Sequence, residues 1–478
     1  MKKSLIYAAV LALVISSCTK DISSFNDNVK DPVTVPAGTL FANATKELVD
    51  YVASPNVNVN TFRLWAQHWT QTTYTDESNF ELTERNINGE VWDRMYARVL
   101  RDCNEARNII EADQVILEEE RNAQLAMISV VEAYAYSMLV DIFGDVPYTE
   151  ALGGIDDLSP AYDDAETIYS EIIASLDGAI ATLASGPSAG ELGASDLIYG
   201  GSTSSWAAFA RSLKLRMAVR MGDKNAGTAK TWAESVTSSD IIDDSSEDAL
   251  LVYQTTTPNT NPMWEDLVQS GRFDFIAANT LGDVMNSLND PRRGNYFQNL
   301  DSTGAVNGNP FGSGGAYNEF TGPGTMQEDP TFPGVLMSAS EVHFLLADAA
   351  ERGWSTPLSA EEHYNMGIRL SITGWGGTDT HADDYLAQAD VAYGTAAGDW
   401  KQKIGVQKWI AMYDRGFEAW STWRLYDYPA MNVAPEIGTI TPTRYNYTVD
   451  EYSVNGTNVA AANGGKDNTT DKVFWDVN

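Results

Sequence analysis

The sequence predicts a mainly α protein in which helices pair side by side and a large loop-rich portion interrupts them. Three observations lead there. Apolar residues recur at steps of three and four along most of the chain, the period of a helix with one buried face. Between about 240 and 335 that period fades, and glycine, proline, asparagine and serine crowd together with scattered aromatics, the composition of loops. The chain also has only two cysteines, Cys18 and Cys103, so its stability must come from a large core rather than from cross-links.

Residues 1–17 read as a signal peptide: Lys2 and Lys3, an apolar run from Leu5 to Ile15, then Ser16 and Ser17. The run is too short to cross the hydrocarbon layer, which needs roughly 20 helical residues, and suits the apolar region of a secretion signal. Ile15-Ser16-Ser17-Cys18 resembles a bacterial lipobox, with isoleucine where leucine is usual; on that reading Cys18 carries a lipid. Ordinary secretion with cleavage at another small residue is the alternative. Residues 18–38 are polar, with Pro32 and Pro36, and read as a lipidated N-terminus and tether. A body on such a leash sits outside the bilayer. The remainder, 39–478, reads as one helical domain carrying a loop-rich insertion at about 240–335.

The helices follow in order. Val91, Met95, Val99, Cys103, Ala106 and Ile110 form a first stripe, which places the Cys103 thiol in the core. Leu125, Ile128, Val131, Ala135, Met138 and Ile142 form a second, stopped by Gly144. Ile168, Ile172, Leu176, Ile180 and Leu183 end before Gly186-Pro187, and Trp206, Phe209, Leu213 and Met217 follow. After the loop-rich stretch come Val342, Leu346, Ala349, then Tyr364, Ile368, Ile372. Helices joined by loops suggest stacked antiparallel pairs, although their spacing varies and the 34-residue tetratricopeptide consensus is not legible. From about Val433 the chain is again loop-rich, with some β-like alternation.

A formal charge of −35, from 66 acidic and 31 basic residues, argues against nucleic acid as a partner and against adsorption to anionic headgroups. Catalytic signatures are missing, and no catalytic residue, cofactor or metal is expected. His68, His343, His363 and His381 lie far apart without metal-ligand spacing; His343 falls in a helix as a partly buried, hydrogen-bonded side chain. The run Asp243–Asp248 reads as a solvated acidic turn rather than a calcium loop.

Trp409, Tyr413, Phe417, Trp420 and Arg424 follow steps of four, four, three and four. That spacing places the rings on one helical stripe and argues for burial rather than ligand stacking. Candidates for ligand contact are therefore the loop aromatics Trp69, Tyr74, Phe80, Tyr253, Trp264, Tyr317 and Phe320.

Three stretches together resemble the SusD/RagB family of outer-membrane nutrient-binding lipoproteins: Asp141 to Leu152, Ser338 to Ala350, and Gln407 to Pro429, with residues 289–297 in addition. They fall in the family's order after the lipobox and span most of the chain. The resemblance implies tetratricopeptide-like helix pairs with an irregular portion packed against them. It implies a SusC-like TonB-dependent outer-membrane barrel as partner, over which the lipoprotein closes, and an oligosaccharide ligand, or in some members a peptide. Ligand residues do not carry over, because no loop motif matches residue by residue. Two other readings stay open: an exported glycoside hydrolase, and a structural surface lipoprotein without a small ligand.

Overall fold

The computed structural model describes residues 35–154 and 158–478. The signal sequence, Cys18 and most of the tether lie outside those residues. Ala37–Asn478 form one unit, which begins with helix α1 (Ala37–Ala53), so residues 37 and 38 belong to a helix rather than to a leash.

Each predicted stripe lies on a helix. The first occupies one rod: α2 (Ile87–Asp93) passes through a π-helical stretch, Arg94–Leu100, into α3 (Arg101–Ala112). It packs against α1. The second is α4 (Glu118–Phe143), ended by Gly144 at φ +89°, a conformation that costs glycine little. Although α4 is long and apolar enough to span a membrane, its apolar window is 83% buried in the fold; it is the central core helix. It lies against α5 (Ala165–Leu183), α5 against α6 (Thr203–Met221), and α6 against α7 (Ala226–Glu234). A second group pairs α8 (Ala339–Glu351) with α9 (Ala360–Gly374), and α10 (Trp400–Ala411) with α11 (Gly416–Tyr426). Paired, packed helices of tetratricopeptide-like character therefore make the frame.

Caps explain where these helices start. Asp164 accepts from the Thr167 amide at 2.8 Å, and Ser359 with Glu362 forms a capping box, each satisfying amides the first turn leaves unpaired. The connector from α4 to α5 is held similarly. The Asp163 carboxylate accepts from the Tyr148 and Thr149 amides at 2.9 and 2.8 Å, and Asp145 from the Ala165 amide at 2.9 Å.

The aromatic run is buried, as its spacing predicts: Trp409, Tyr413, Phe417, Trp420, Trp423 and Tyr426 are all at most 5% exposed. It does not lie on one helix, however. Residues 412–415 break it between α10 and α11, and Gly416 sits there because a Cβ would come within 2.4 Å of the Arg63 amide nitrogen. Phe62 stacks on Trp420 and Tyr445, with centroids 4.9 Å apart in each pair.

Charged groups of the three recognisable stretches converge inside this core. Arg216 donates to both Glu341 carboxylate oxygens, at 2.8 and 2.9 Å, and Arg415 donates to one of them. Arg220 bridges Glu418, at 2.8 Å, and Asp141. Asp141 also accepts from Tyr169 and, at 2.6 Å, from the Trp475 indole. Burial alone would raise the Glu341 carboxyl, but Arg216 and Arg415 hold it well below its ordinary range.

The stretch from 240 to 335 is not without structure. Its short strands, joined by one from the N-terminal part, make three two-stranded antiparallel ladders: β1 (Trp69–Gln71) with β3 (Phe275–Ala277), β2 (Ala249–Leu251) with β6 (Gly334–Met337), and β4 (Phe297–Gln298) with β5 (Gly322–Pro323). Strands this short carry too little alternation to be read from sequence. The C-terminal stretch corrects the expected β character: no strand lies beyond Val433 among the described residues, and the helices Val449–Val454 and Gly456–Ala462 occupy part of it. The Thr448 side chain caps the first of these.

Candidate functional site

The β1–β3 ladder positions the site. Beyond Gln71 the pairing continues one step, the Thr72 amide donating to Asp274 O at 2.9 Å, and the Thr72 hydroxyl donates to Phe273 O at 2.9 Å. The Gly315 amide then donates to Thr72 O at 3.0 Å. Three segments, 72–75, 271–274 and 312–320, are thereby tied along one edge, and each brings an aromatic ring. Phe273 is 62% and Tyr74 73% exposed. Tyr317 is half-buried, its ring centroid 4.7 Å from that of Phe273 with the planes 45° apart.

The Tyr317 ring is seated by glycine: its hydroxyl approaches Gly322 so closely that a Cβ there would lie 2.5 Å away. Gly322 pairs with Gln298, whose amide donates to Glu328 at 2.7 Å. Burial, then the Glu328 charge, pushes the Tyr317 hydroxyl above its ordinary value, so it stays a donor at neutral pH. Beside Phe273, the Arg272 guanidinium pairs with Asp274 at 2.6 Å. Rings with solvent-facing area, rimmed by an amide, carboxylates and a guanidinium, can hold a ligand that offers both an apolar face and hydroxyls.

The seven aromatic candidates separate. Tyr74 and Tyr317 share this edge. Trp264, half-buried, ends the short helix Pro262–Trp264; that helix and the π-helical stretch after it, Glu265–Gln269, pack against Thr325–Glu328 on the same side as Glu328. Phe320 is half-buried and lies against Gly315. The other three are buried, which corrects their assignment to exposed loops. Trp69 is on β1, its indole donating to Tyr413 at 2.7 Å beneath the Arg63 guanidinium. Phe80 packs between Trp65 and Phe311. Tyr253 is 3% exposed and donates to Asp50 at 2.8 Å. Phe273 was missed: its two-residue spacing from buried Phe275 suggests the same face, and only the end of β3 turns it outward.

The histidines need one correction. His343 and His363, twenty positions apart in sequence, meet between α8 and α9 with their Nδ1 atoms 3.0 Å apart. His343 Nε2 lies 3.2 Å from Asp243 O, and His363 Nε2 has no partner among the described residues. The acidic turn at 243–248 caps itself through Asp244 and Glu247, and Cys103 is fully buried, its thiol pushed up by burial.

A family described as "Starch-binding associating with outer membrane", SusD-like, matches residues 29–448. The chain belongs to the SusD-like family. Solved SusD-like structures agree. A chitin-binding SusD homolog from Flavobacterium johnsoniae is 25% identical over 92% of this chain and 99% of its own, with a TM-score of 0.78. A SusD-like protein from Bacteroides thetaiotaomicron is 26% identical over 92% and 98%, with a TM-score of 0.77. A further Bacteroidetes SusD-like protein, 21% identical over 93% and 100% with a TM-score of 0.80, shares the fold. No curated protein sequence matches significantly. SusD-like proteins are outer-membrane-associated, nutrient-binding proteins rather than enzymes, and they generally work with SusC-like TonB-dependent transporters.

Proposed function

We propose that this SusD-like protein captures an oligosaccharide at the Tyr74–Phe273–Tyr317 edge and delivers it to a SusC-like barrel. In this reading Cys18 carries the lipid that anchors the body to the outer membrane, facing outwards. The observation that carries the ligand assignment is the Phe273–Tyr317 pair, two rings in contact and still open to solvent. Sugar rings present C–H faces to such aromatics and direct hydroxyls to a polar rim, here Arg272, Asp274, Gln298 and Glu328. The chitin-binding relative supports a glycan over a peptide. Bond breaking is no part of the proposal; release follows from opening against the energised transporter.

Titration calorimetry of the purified protein against oligosaccharides of plant, host and microbial origin, with peptide pools in parallel, tests it. Saturable heat with one glycan class, weakened about tenfold by Phe273→Ala or Tyr317→Ala, is the expected result. Heat with peptides alone, or glycan heat indifferent to both substitutions, would overturn it.

A further inference from the structure

On a different set of elements, α3, α4, α5 and the connector after α4, lies a recess of about 230 Å³. It opens where the π-helical stretch Arg94–Leu100 gives way to α3, with Leu100 in its wall; such turns often sit at functional places in helices. Leu152, also in the wall, holds a left-handed φ of +64°, a strain non-glycine residues keep only where the surroundings enforce it.

The wall carries several polar side chains. Tyr136, Tyr148, Asn104 and Ser175 line the recess, and their side-chain polar groups make no hydrogen bond to another described residue, which leaves them to solvent or a ligand. The Tyr136 ring is buried, 8% exposed, and its hydroxyl is the part that reaches the recess. That ring stands edge to face with Tyr148, centroids 4.7 Å apart at 74°. Asp163 fixes the Tyr148 backbone through its amide. Glu132 completes the wall with a carboxylate already paired with Arg107. Burial, followed by neighbouring carboxylates, pushes both phenols up, so they remain donors at neutral pH.

We propose that this recess is a second carbohydrate subsite, separate from the loop edge, that takes one neutral sugar ring. The volume lies below the 300–1,000 Å³ of pockets for drug-sized ligands, which fits a single ring. Two phenols, an amide and an alcohol offer both donors and acceptors, the match for several hydroxyls, and the aromatic and aliphatic walls cover a C–H face. Glu132, with Glu171 and Asp163 acting on Tyr148, makes the surroundings unfavourable to an anion. The inference does not depend on the loop edge binding anything.

The test uses the full chain carrying Phe273→Ala and Tyr317→Ala, so that the edge is disabled, titrated with glucose, galactose and N-acetylglucosamine and, as counter-probes, glucuronate and leucine. Saturable binding of a neutral sugar is expected, weakened roughly three- to tenfold by Tyr136→Phe and by Asn104→Ala. Ser175→Ala, at an exposed helix position, gives the same readout should either core variant misfold, with circular dichroism reporting the fold. No saturable binding, affinities unmoved by the substitutions, or preference for glucuronate or leucine would overturn the subsite.

Discussion

In the helical interior, Asp141, Glu341 and Glu418 are buried and each meets an arginine; at the loop edge, Phe273 and Tyr317 meet each other and keep open area towards solvent. These buried acids have their charge matched within the core, whereas the edge keeps ring area in reserve. Cohesion and recognition therefore reside in different residues, and substitutions should separate them.

The largest effect belongs to the interior. Glu341→Ala leaves Arg216 and Arg415 buried without their shared carboxylate, and breaking a buried pair in this way costs about 3–5 kcal/mol. Denaturant melts should show a large fall in the midpoint or an unfolded chain, and a midpoint within error of wild type would break the comparison. Acid tests the same interior. Burial, with Arg63 next, lowers the His68 imidazole from 6.5 to about 3, and burial, with His343 next, lowers His363 to about 4. With the folded value below the unfolded one, the unfolded chain takes up the proton first. The stability is then complete above about 6.5 and is lost as pH falls through that window. Asp248, raised by burial to about 7, acts in the opposite sense. The readout is therefore a difference: His68→Asn should flatten the fall in melting temperature between pH 6.5 and 4 relative to wild type, and parallel curves would exclude His68 as a source.

At the edge the expected pattern reverses. Phe273→Ala and Tyr317→Ala should weaken glycan binding by about 1–2 kcal/mol, while Phe273→Ala leaves stability within about 0.5 kcal/mol, as for exposed positions in general. Binding and melting followed on the same samples sharpen the contrast, and a fall in both would merge the two regions. The smallest effect is assigned to Tyr74, which no other ring contacts among the described residues; Tyr74→Ala should cost less than either, and a larger loss would move the centre of the edge towards residues 72–75.

The same division explains what could be read from the sequence. Helix stripes such as Ile168 to Leu183 are periodic because burial imposes the period, and the stretches that carry the family resemblance contain Asp141, Glu341, Arg415 and Glu418, residues of the shared scaffold. The break at 412–415 escaped because four-residue steps continue across it. At the edge nothing imposes a spacing: Tyr74, Phe273 and Tyr317 come from three segments joined by backbone hydrogen bonds of Thr72 and Gly315, and such bonds leave no mark in side-chain pattern. Trp69, Phe80 and Tyr253 had loop-like neighbours in sequence yet point inward: Trp69 sits on a three-residue strand too short to show alternation, while Phe80 follows a single turn and Tyr253 lies in a loop, neither of which has a period.

The Trp475 indole that donates to Asp141 lies 334 positions further along the chain. During synthesis the C-terminal end of α4 therefore waits for almost everything after it to be made before this contact of its buried acid can form. Contacts of such long sequence separation slow folding, and a nascent chain without Trp475 carries Asp141 without one of its partners. The order in which the polypeptide emerges thus sets a late checkpoint at its own centre.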